Sequence, residues 1–175
     1  MRSASLLIGL GNPILGDDGV GWHVVAEVEK KLACTYWRDV EFQRDVDVEY
    51  LSLGGLALME SMQGYKDVLV VDCITTGNYP VGTILSLPLC ALPNLSGGHT
   101  TAAHDTSLQT AMEMGHSMGI DLPDKVWVVA IEVEEKFDFS EQLSSVVQQA
   151  LPKMAEIVLN QIEAHPTEEM IYDLT

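Results

Sequence analysis

Apolar runs alternate with amphipathic stretches along the chain, and this pattern predicts the secondary structure. Residues 5–11 form a continuous apolar run typical of a buried strand, and apolar residues from Gly21 to Leu32 recur at helical spacing. The later pattern predicts, in order, a strand over 40–48, a short helix over 56–64, strands over 68–72 and 83–87, a helix over about 104–118, a strand over 126–131, and a long helix capped by Ser140.

Strands that alternate with helices predict an α/β domain with a mostly parallel sheet. The segment between the third and fourth strands is too short for a crossover helix, so the strand over 83–87 is expected to return antiparallel at an edge. Pro152 is expected to kink or interrupt the last helix. We expect one three-layer domain over 1–165, with helices on both faces of a twisted five-stranded sheet, and a flexible acidic tail over 166–175.

Charge and cysteine usage narrow the classes of function. The 175 residues carry a net charge of −17 with only nine Lys and Arg, which disfavours nucleic acid and makes a basic partner more plausible than an acidic one. No apolar run is long enough to span a membrane, and with only Met1–Ala4 before the first strand we expect no signal peptide. Three unclustered cysteines fit reduced thiols, so we expect a cytoplasmic protein.

The segment that begins at the end of the first strand reads GLGNPILGDDGVG and is the most informative stretch of the chain. A phosphate-binding loop offers backbone N–H groups, usually with a lysine, whereas this loop offers Asp17 and Asp18. Two carboxylates would repel a phosphate and attract a cation. The loop therefore favours metal handling over nucleotide handling.

A further carboxylate, that of Asp72, ends the apolar third strand. Taken alone, Asp72 is slightly better explained by a helix cap or a hydrogen bond to a neighbouring loop. Sites of parallel sheets lie beyond the carboxyl ends of adjacent strands, so Asp18 and Asp72 together indicate one shared site. Cys73 follows on the opposite strand face and is interpreted as a core residue rather than a nucleophile.

The third site residue is expected from the long loop over 88–103 and its boundary with the third helix. His99 and His104 lie there, and a lone loop histidine is more often a solvated polar residue. With two carboxylates nearby, a ligand role for His104 becomes more plausible, because imidazole and carboxylate oxygens suit Ni, Zn or Mn. Three protein ligands with open positions are typical of a working metal site. The chain has neither a G-x-S-x-G nor an H-E-x-x-H motif.

Three segments in order resemble the hydrogenase maturation endopeptidases: GLGNPILGDDGVG, VLVVDCITTG and AHDTSLQTAM. These enzymes cut a C-terminal extension from the precursor of the NiFe-hydrogenase large subunit. The resemblance implies a twisted five-stranded sheet, Asp18 and Asp72 as catalytic residues, and Asp18, Asp72 and His104 as metal ligands. It also implies nickel presented by the substrate, for which another divalent metal such as Zn or Cd can substitute in vitro.

Some positions depart from the family pattern, and others indicate a subgroup. Asp18 stands where relatives often have Glu, and Leu53 stands where many have Asp before the glycine pair. The segments SLGGL, SGGH and FDFS resemble proteases that serve bidirectional, NAD(P)-linked hydrogenases. Because the loop around Asp18 is rich in glycine and offers no evident support for its carboxylate, we expect the empty site to bind metal weakly.

Two alternative functions compete with the peptidase. Peptidyl-tRNA hydrolases share the GLGNP strand end, but that resemblance stops at Ile14, and the charge of −17 is unfavourable for tRNA. A non-enzymatic nickel-binding or chaperone module would share the ligands without needing a peptide-sized loop over 88–103. A nickel-containing complex with a precursor large subunit would favour the peptidase.

Overall fold

A computed structural model of the protein describes residues 5–35, 46–92, 107–134, 139–164 and 170–173. Within these ranges the chain forms six strands and four α-helices. The strands are β1 (Ser5–Leu10), β2 (Val46–Leu51), β3 (Asp67–Ile74), β4 (Ile84–Pro88), β5 (Lys125–Glu132) and β6 (Met170–Tyr172). The α-helices are α1 (Val20–Thr35), α2 (Gly55–Ser61), α3 (Leu108–Ser117) and α4 (Ser145–Ala164).

The strands form one sheet in the order β2-β1-β3-β5-β4-β6. β2, β1, β3 and β5 are parallel, while β4 runs antiparallel to both β5 and β6. The predicted α/β domain with a mostly parallel sheet and an antiparallel return after β3 is therefore confirmed. The carboxyl ends of the four parallel strands lie at one edge of the sheet, where sites of such folds are found.

The prediction of five strands, with 83–87 at the edge, is wrong. Met170–Tyr172 forms a sixth strand inside the segment 166–175 that was predicted to be a tail, and it pairs with β4 from Ser86 to Ile84. β6 is therefore the edge strand, and β4 lies inside the sheet. Three residues are too few to show the alternation by which a strand is recognised in a sequence. The strand forms by pairing with β4, which only the tertiary structure reveals.

Two helices cover each face of the sheet. α1 and α4 pack on one face, with Leu69, Val71 and Cys73 of β3 in their core. α2 and α3 pack on the other face, with Val68, Val70 and Ile74 of β3. Because strand side chains alternate between faces, Asp72 belongs to the face covered by α2 and α3. Within the described residues, no helix has the length and apolar character needed to cross a membrane.

The start of α4 differs from the prediction. The helix begins at Ser145, and the Ser144 hydroxyl, rather than Ser140, accepts a hydrogen bond from the Val147 N–H at 3.4 Å. The helix also runs without interruption through Pro152. Met154 and Val158 beyond the proline are fully buried, and their packing offsets the loss of one backbone hydrogen bond. A kink at Pro152 stays a prediction.

Gly21 in the first turn of α1 places this helix directly on the sheet. A Cβ atom at Gly21 would lie 2.3 Å from the carbonyl oxygens of both Leu10 and Val71, which no side chain can occupy. The glycine therefore lets α1 touch the carboxyl ends of β1 and β3. The turn that precedes α1 and carries Asp18 is brought to the end of β3 by the same contact.

Gly21→Ala is expected to lower the free energy of unfolding by at least about 2 kcal/mol, because the added methyl group forces α1 away from two strands. Gly54→Ala is the matched control, since a Cβ there meets nothing within 4 Å, and its effect is expected to stay within about 1 kcal/mol. Urea unfolding of both variants measures the difference. Equal effects of the two substitutions would contradict the close contact inferred at Gly21.

Candidate functional site

The loop between β1 and α1 holds the Asp18 carboxylate within its own turn. The Asn12 N–H donates to Asp18 Oδ2 at 2.7 Å, and the Ile14 N–H donates to Asn12 Oδ1 at 3.2 Å. The expectation that this glycine-rich loop gives Asp18 no support is therefore wrong. The loop folds back on itself, so that a backbone N–H from six residues earlier in the chain bonds the carboxylate. Weak metal binding by the empty site stays a prediction.

Asp17, although adjacent, has a different environment. Its Oδ1 accepts a hydrogen bond from the Ser144 N–H at 2.6 Å, just before α4 begins. The same part of the chain is joined to the loop by backbone bonds between Gly16 and Ser140 at 2.6 Å and between Ser140 and Ile14 at 3.0 Å. Asp17 therefore stabilises the position of the loop, and Asp18 is the aspartate directed towards β3.

Cys73 contacts both candidate aspartates at the carboxyl end of β3. Its backbone N–H donates to Asp72 Oδ1 at 2.8 Å, and its thiol donates to Asp18 Oδ1 at 3.8 Å. The structure thus brings Asp18 and Asp72 together at one edge of the sheet, as the strand pattern predicted. Their roles as catalytic residues and metal ligands remain predictions.

The environment of Cys73 supports its interpretation as a core residue. Its side chain is buried among apolar residues of α1 and α4. Burial raises the pKa of the thiol well above its usual value, and the nearby charges of Asp72 and Asp18 raise it further. The group therefore stays a neutral thiol that donates a hydrogen bond. A thiolate nucleophile is not favoured at this position.

Asp72 carries the most informative electrostatic environment of the site. Burial raises its pKa to about 7, the Cys73 N–H opposes that rise, and the negative charge of Asp18 adds to it. Two carboxylates close to each other repel, and this repulsion is lowered when one of them is protonated or when both bind a cation. Carboxylate oxygens are suitable ligands for divalent metals, so this pair fits the predicted metal chemistry.

The third predicted ligand, His104, lies outside the described residues, and so does His99. The part of the 88–103 loop that the structure describes ends at Leu92. Among the described residues, no group of three His, Cys, Asp or Glu side chains is arranged to hold a metal ion. The assignment of His104 as a ligand therefore stays a prediction.

Glu132 is a buried acidic residue near the carboxyl end of β3 that the sequence-based predictions did not single out. It ends β5 and is only 1% exposed. Its carboxylate accepts hydrogen bonds from the Thr76 N–H, the Thr76 hydroxyl and the Gly77 N–H, each at 2.7 Å. The signal was present in the sequence, because an acidic residue ends the apolar run of β5 just as Asp72 lies near the end of β3.

The pKa of Asp72 predicts how stability changes with pH. A carboxyl whose pKa rises from 3.8 to about 7 on folding favours the folded state fully below pH 4, and this contribution is lost as the pH rises through 7. As the pH rises from 4 to 8, the unfolding free energy of Asp72→Asn is therefore expected to increase by about 2–4 kcal/mol relative to that of the unmodified protein. Urea unfolding of both proteins with a chelator present measures this; a pH-independent difference would contradict the burial of an ionisable Asp72.

Comparison with known proteins agrees with this fold. Residues 31–161 match the family model HycI, hydrogenase maturation protease. A Methanocaldococcus jannaschii protein assigned by name to the hydrogenase maturation proteases is 29% identical over 162 residues, which cover 90% of this chain and 96% of that protein.

Solved structures share the fold at lower sequence identity. The hydrogenase maturating endopeptidase HybD from Escherichia coli aligns with a TM-score of 0.72 and 20% identity over 98% of each chain. The hydrogenase 2 maturation peptidase from a Thaumarchaeota archaeon aligns with a TM-score of 0.59 and 22% identity, over 93% of this chain and 98% of that chain. The family model matches more than half of the chain, and the protein therefore belongs to the hydrogenase maturation protease family, a family of peptidases.

Proposed function

We propose that this protein is the endopeptidase that removes the C-terminal extension of a nickel-loaded NiFe-hydrogenase large-subunit precursor. The observation that carries the proposal is the joint placement of Asp18 and Asp72, which both accept hydrogen bonds from Cys73 at the carboxyl end of the sheet. Membership in the family supplies the reaction class, peptide hydrolysis. The acidic pair supplies a place where a metal centre carried by the substrate can be recognised.

In this proposal nickel belongs to the substrate. Asp18 and Asp72 would hold it together with His104, and the bound metal would act as a Lewis acid towards the peptide carbonyl. Asp72 has a pKa near 7, so it can accept or return a proton during hydrolysis at neutral pH. The Asn12 N–H keeps one oxygen of Asp18 oriented by the loop while the other faces Cys73.

The finer assignments rest on sequence motifs. The segments SLGGL and FDFS support a substrate from the bidirectional, NAD(P)-linked hydrogenases. Ser52 of the first segment donates to the Gly11 carbonyl oxygen at 2.6 Å, so this motif touches the loop that carries Asp18. Cys73 and Cys90 are free thiols, in keeping with the cytoplasmic location predicted from cysteine usage.

A non-enzymatic nickel-binding module is the second candidate, and it would use the same acidic pair. Peptide cleavage separates the two functions directly. Purified protein is incubated with nickel-loaded precursor, and the mass of the large subunit is followed with time. We expect loss of the C-terminal extension, and no change in a precursor that already lacks it. Stable binding of the loaded precursor without any mass loss would favour the nickel-binding module.

A further inference from the structure

The loop between β3 and β4 comprises residues 75–83 and is called here the β3–β4 loop. We infer that Glu132 is a positioning residue that holds this loop in one conformation, so that the loop can contact the substrate chain near Asp72. The inference rests on the proposed peptidase function and adds a residue that contributes to substrate binding. Glu132 does not act on the peptide bond itself in this role. It acts through the loop that it holds.

The side chain of Glu132 holds the beginning of the β3–β4 loop. Oε1 accepts from the N–H groups of Thr76 and Gly77, and Oε2 accepts from the Thr76 hydroxyl, all at 2.7 Å. Thr76 Oγ1 in turn accepts from the Asn78 N–H at 3.0 Å. A carboxylate that is 1% exposed is stabilised only when such donors surround it, so the loop and the carboxylate depend on each other.

The backbone of Glu132 holds the end of the same loop. Its carbonyl oxygen accepts from the Gly82 N–H at 2.8 Å, and its own N–H donates to the Thr83 carbonyl oxygen at 2.9 Å. One residue of β5 therefore joins both ends of the β3–β4 loop. When hydrogen bonds to one buried residue fix both ends of a loop, the backbone of the residues between those ends has little conformational freedom.

The position of this loop relates it to the candidate site. It begins directly after Ile74, two residues beyond Asp72 on β3. Tyr79 of the loop packs against the core beneath α2 and α3, which is the face of the sheet to which Asp72 belongs. Val81 remains 42% exposed. The loop thus continues from the end of β3 that carries Asp72, and in this inference its ordered backbone contacts a peptide that approaches that carboxylate.

Two substitutions at position 132 distinguish the negative charge of Glu132 from the hydrogen bonds by which it holds the β3–β4 loop. In Glu132→Gln, the amide oxygen can accept from both N–H groups and the amide nitrogen can donate to the Thr76 hydroxyl, so the loop stays in place. We expect kcat/KM for precursor cleavage within about threefold of the unmodified protein. In Glu132→Ala, we expect KM to rise about tenfold, kcat to change less than about threefold, and amides 77–82 to exchange faster with solvent.

Gln161→Ala is the matched control for general loss of stability. Gln161 is buried and donates to Ser86 Oγ at 2.8 Å, further along β4 from the β3–β4 loop. We expect this variant to be destabilised with an unchanged KM. If Glu132→Ala does not fold, Thr76→Val removes one of the three bonds while both backbone donors remain, and a KM rise of about threefold is expected.

Three results would overturn the inference. If Glu132→Gln loses as much activity as Glu132→Ala while amides 77–82 stay protected, the charge and not the loop is needed. If Glu132→Ala releases the loop with KM unchanged, the loop does not position substrate. If Gln161→Ala raises KM as much as Glu132→Ala, stability alone explains the effect. Failure of the unmodified protein to cleave the precursor would instead refute the proposed function, and hydrogen exchange would still report on the loop.

Discussion

Replacing Asp18 or Asp72 with asparagine is expected to lower the rate of precursor cleavage by at least about 10³-fold, because each change removes a charge on which the proposed metal recognition and proton transfer depend. Asparagine keeps the size of the side chain and one acceptor oxygen. The bond from the Asn12 N–H to residue 18 and the bond from the Cys73 N–H to residue 72 can therefore persist. The variants are expected to fold, and mass loss of the precursor measures their activity.

Neighbouring residues of the same type are the controls for this experiment. Asp17→Asn retains an oxygen for the Ser144 N–H and is expected to lose less than about tenfold in rate. His104→Ala is expected to behave like the Asp18 variant, whereas His99→Ala is expected to keep its activity, since only His104 is a predicted ligand. Equal losses in Asp17→Asn and Asp18→Asn would show that loop position, rather than the Asp18 charge, limits the reaction. Loss in His99→Ala with retention in His104→Ala would reverse the ligand assignment.

Cleavage is expected to require nickel in the precursor, with a rate at least about 100-fold lower for the nickel-free form. Burial is the main cause of the raised pKa of Asp72, and the negative charge of Asp18 adds to it. In the proposed function, a metal ion brought by the substrate would relieve the repulsion between these two carboxylates. Binding of the loaded precursor would thereby be coupled to recognition of its metal centre.

The experiment compares precursor prepared with and without nickel, and follows release of the extension by mass spectrometry. Adding free nickel to the protease together with the empty precursor is the control, and it is not expected to restore full cleavage. Equal cleavage of both precursors would show that the acidic pair does not sense nickel. The protein would then be better described as a conventional metalloprotease or as a peptidase independent of metal.

Much of this molecule was predicted from local patterns. The apolar run of β3 has Asp72 near its end, and the turn after β1 carries Asp18. This pattern by itself predicts both carboxylates at the carboxyl ends of the parallel strands. The order of strands and helices likewise predicted a mostly parallel α/β sheet. Periodicity and strand ends are properties of neighbouring residues, so a sequence reveals them directly.

Contacts between distant residues could not be predicted in this way. Asp18 and Cys73 are 55 positions apart, Thr76 and Glu132 are 56 apart, and Asp17 and Ser144 are 127 apart. The sequence shows that Asp17 and Asp18 are adjacent, but it does not show that Asp18 faces β3 and that Asp17 faces the start of α4. It also shows Glu132 as one more acidic residue at the end of an apolar run, without the loop that it holds.

The sequence by itself determined the class of fold, the family resemblance and the two carboxylates of the candidate site. The tertiary structure alone decided that Cys73 contacts both of them, that Asp17 supports the loop, that Glu132 joins the ends of the β3–β4 loop, and that β6 covers β4. The physical reason is that hydrogen-bond partners are chosen by which elements pack together. That packing is set by the whole core and not by any one segment.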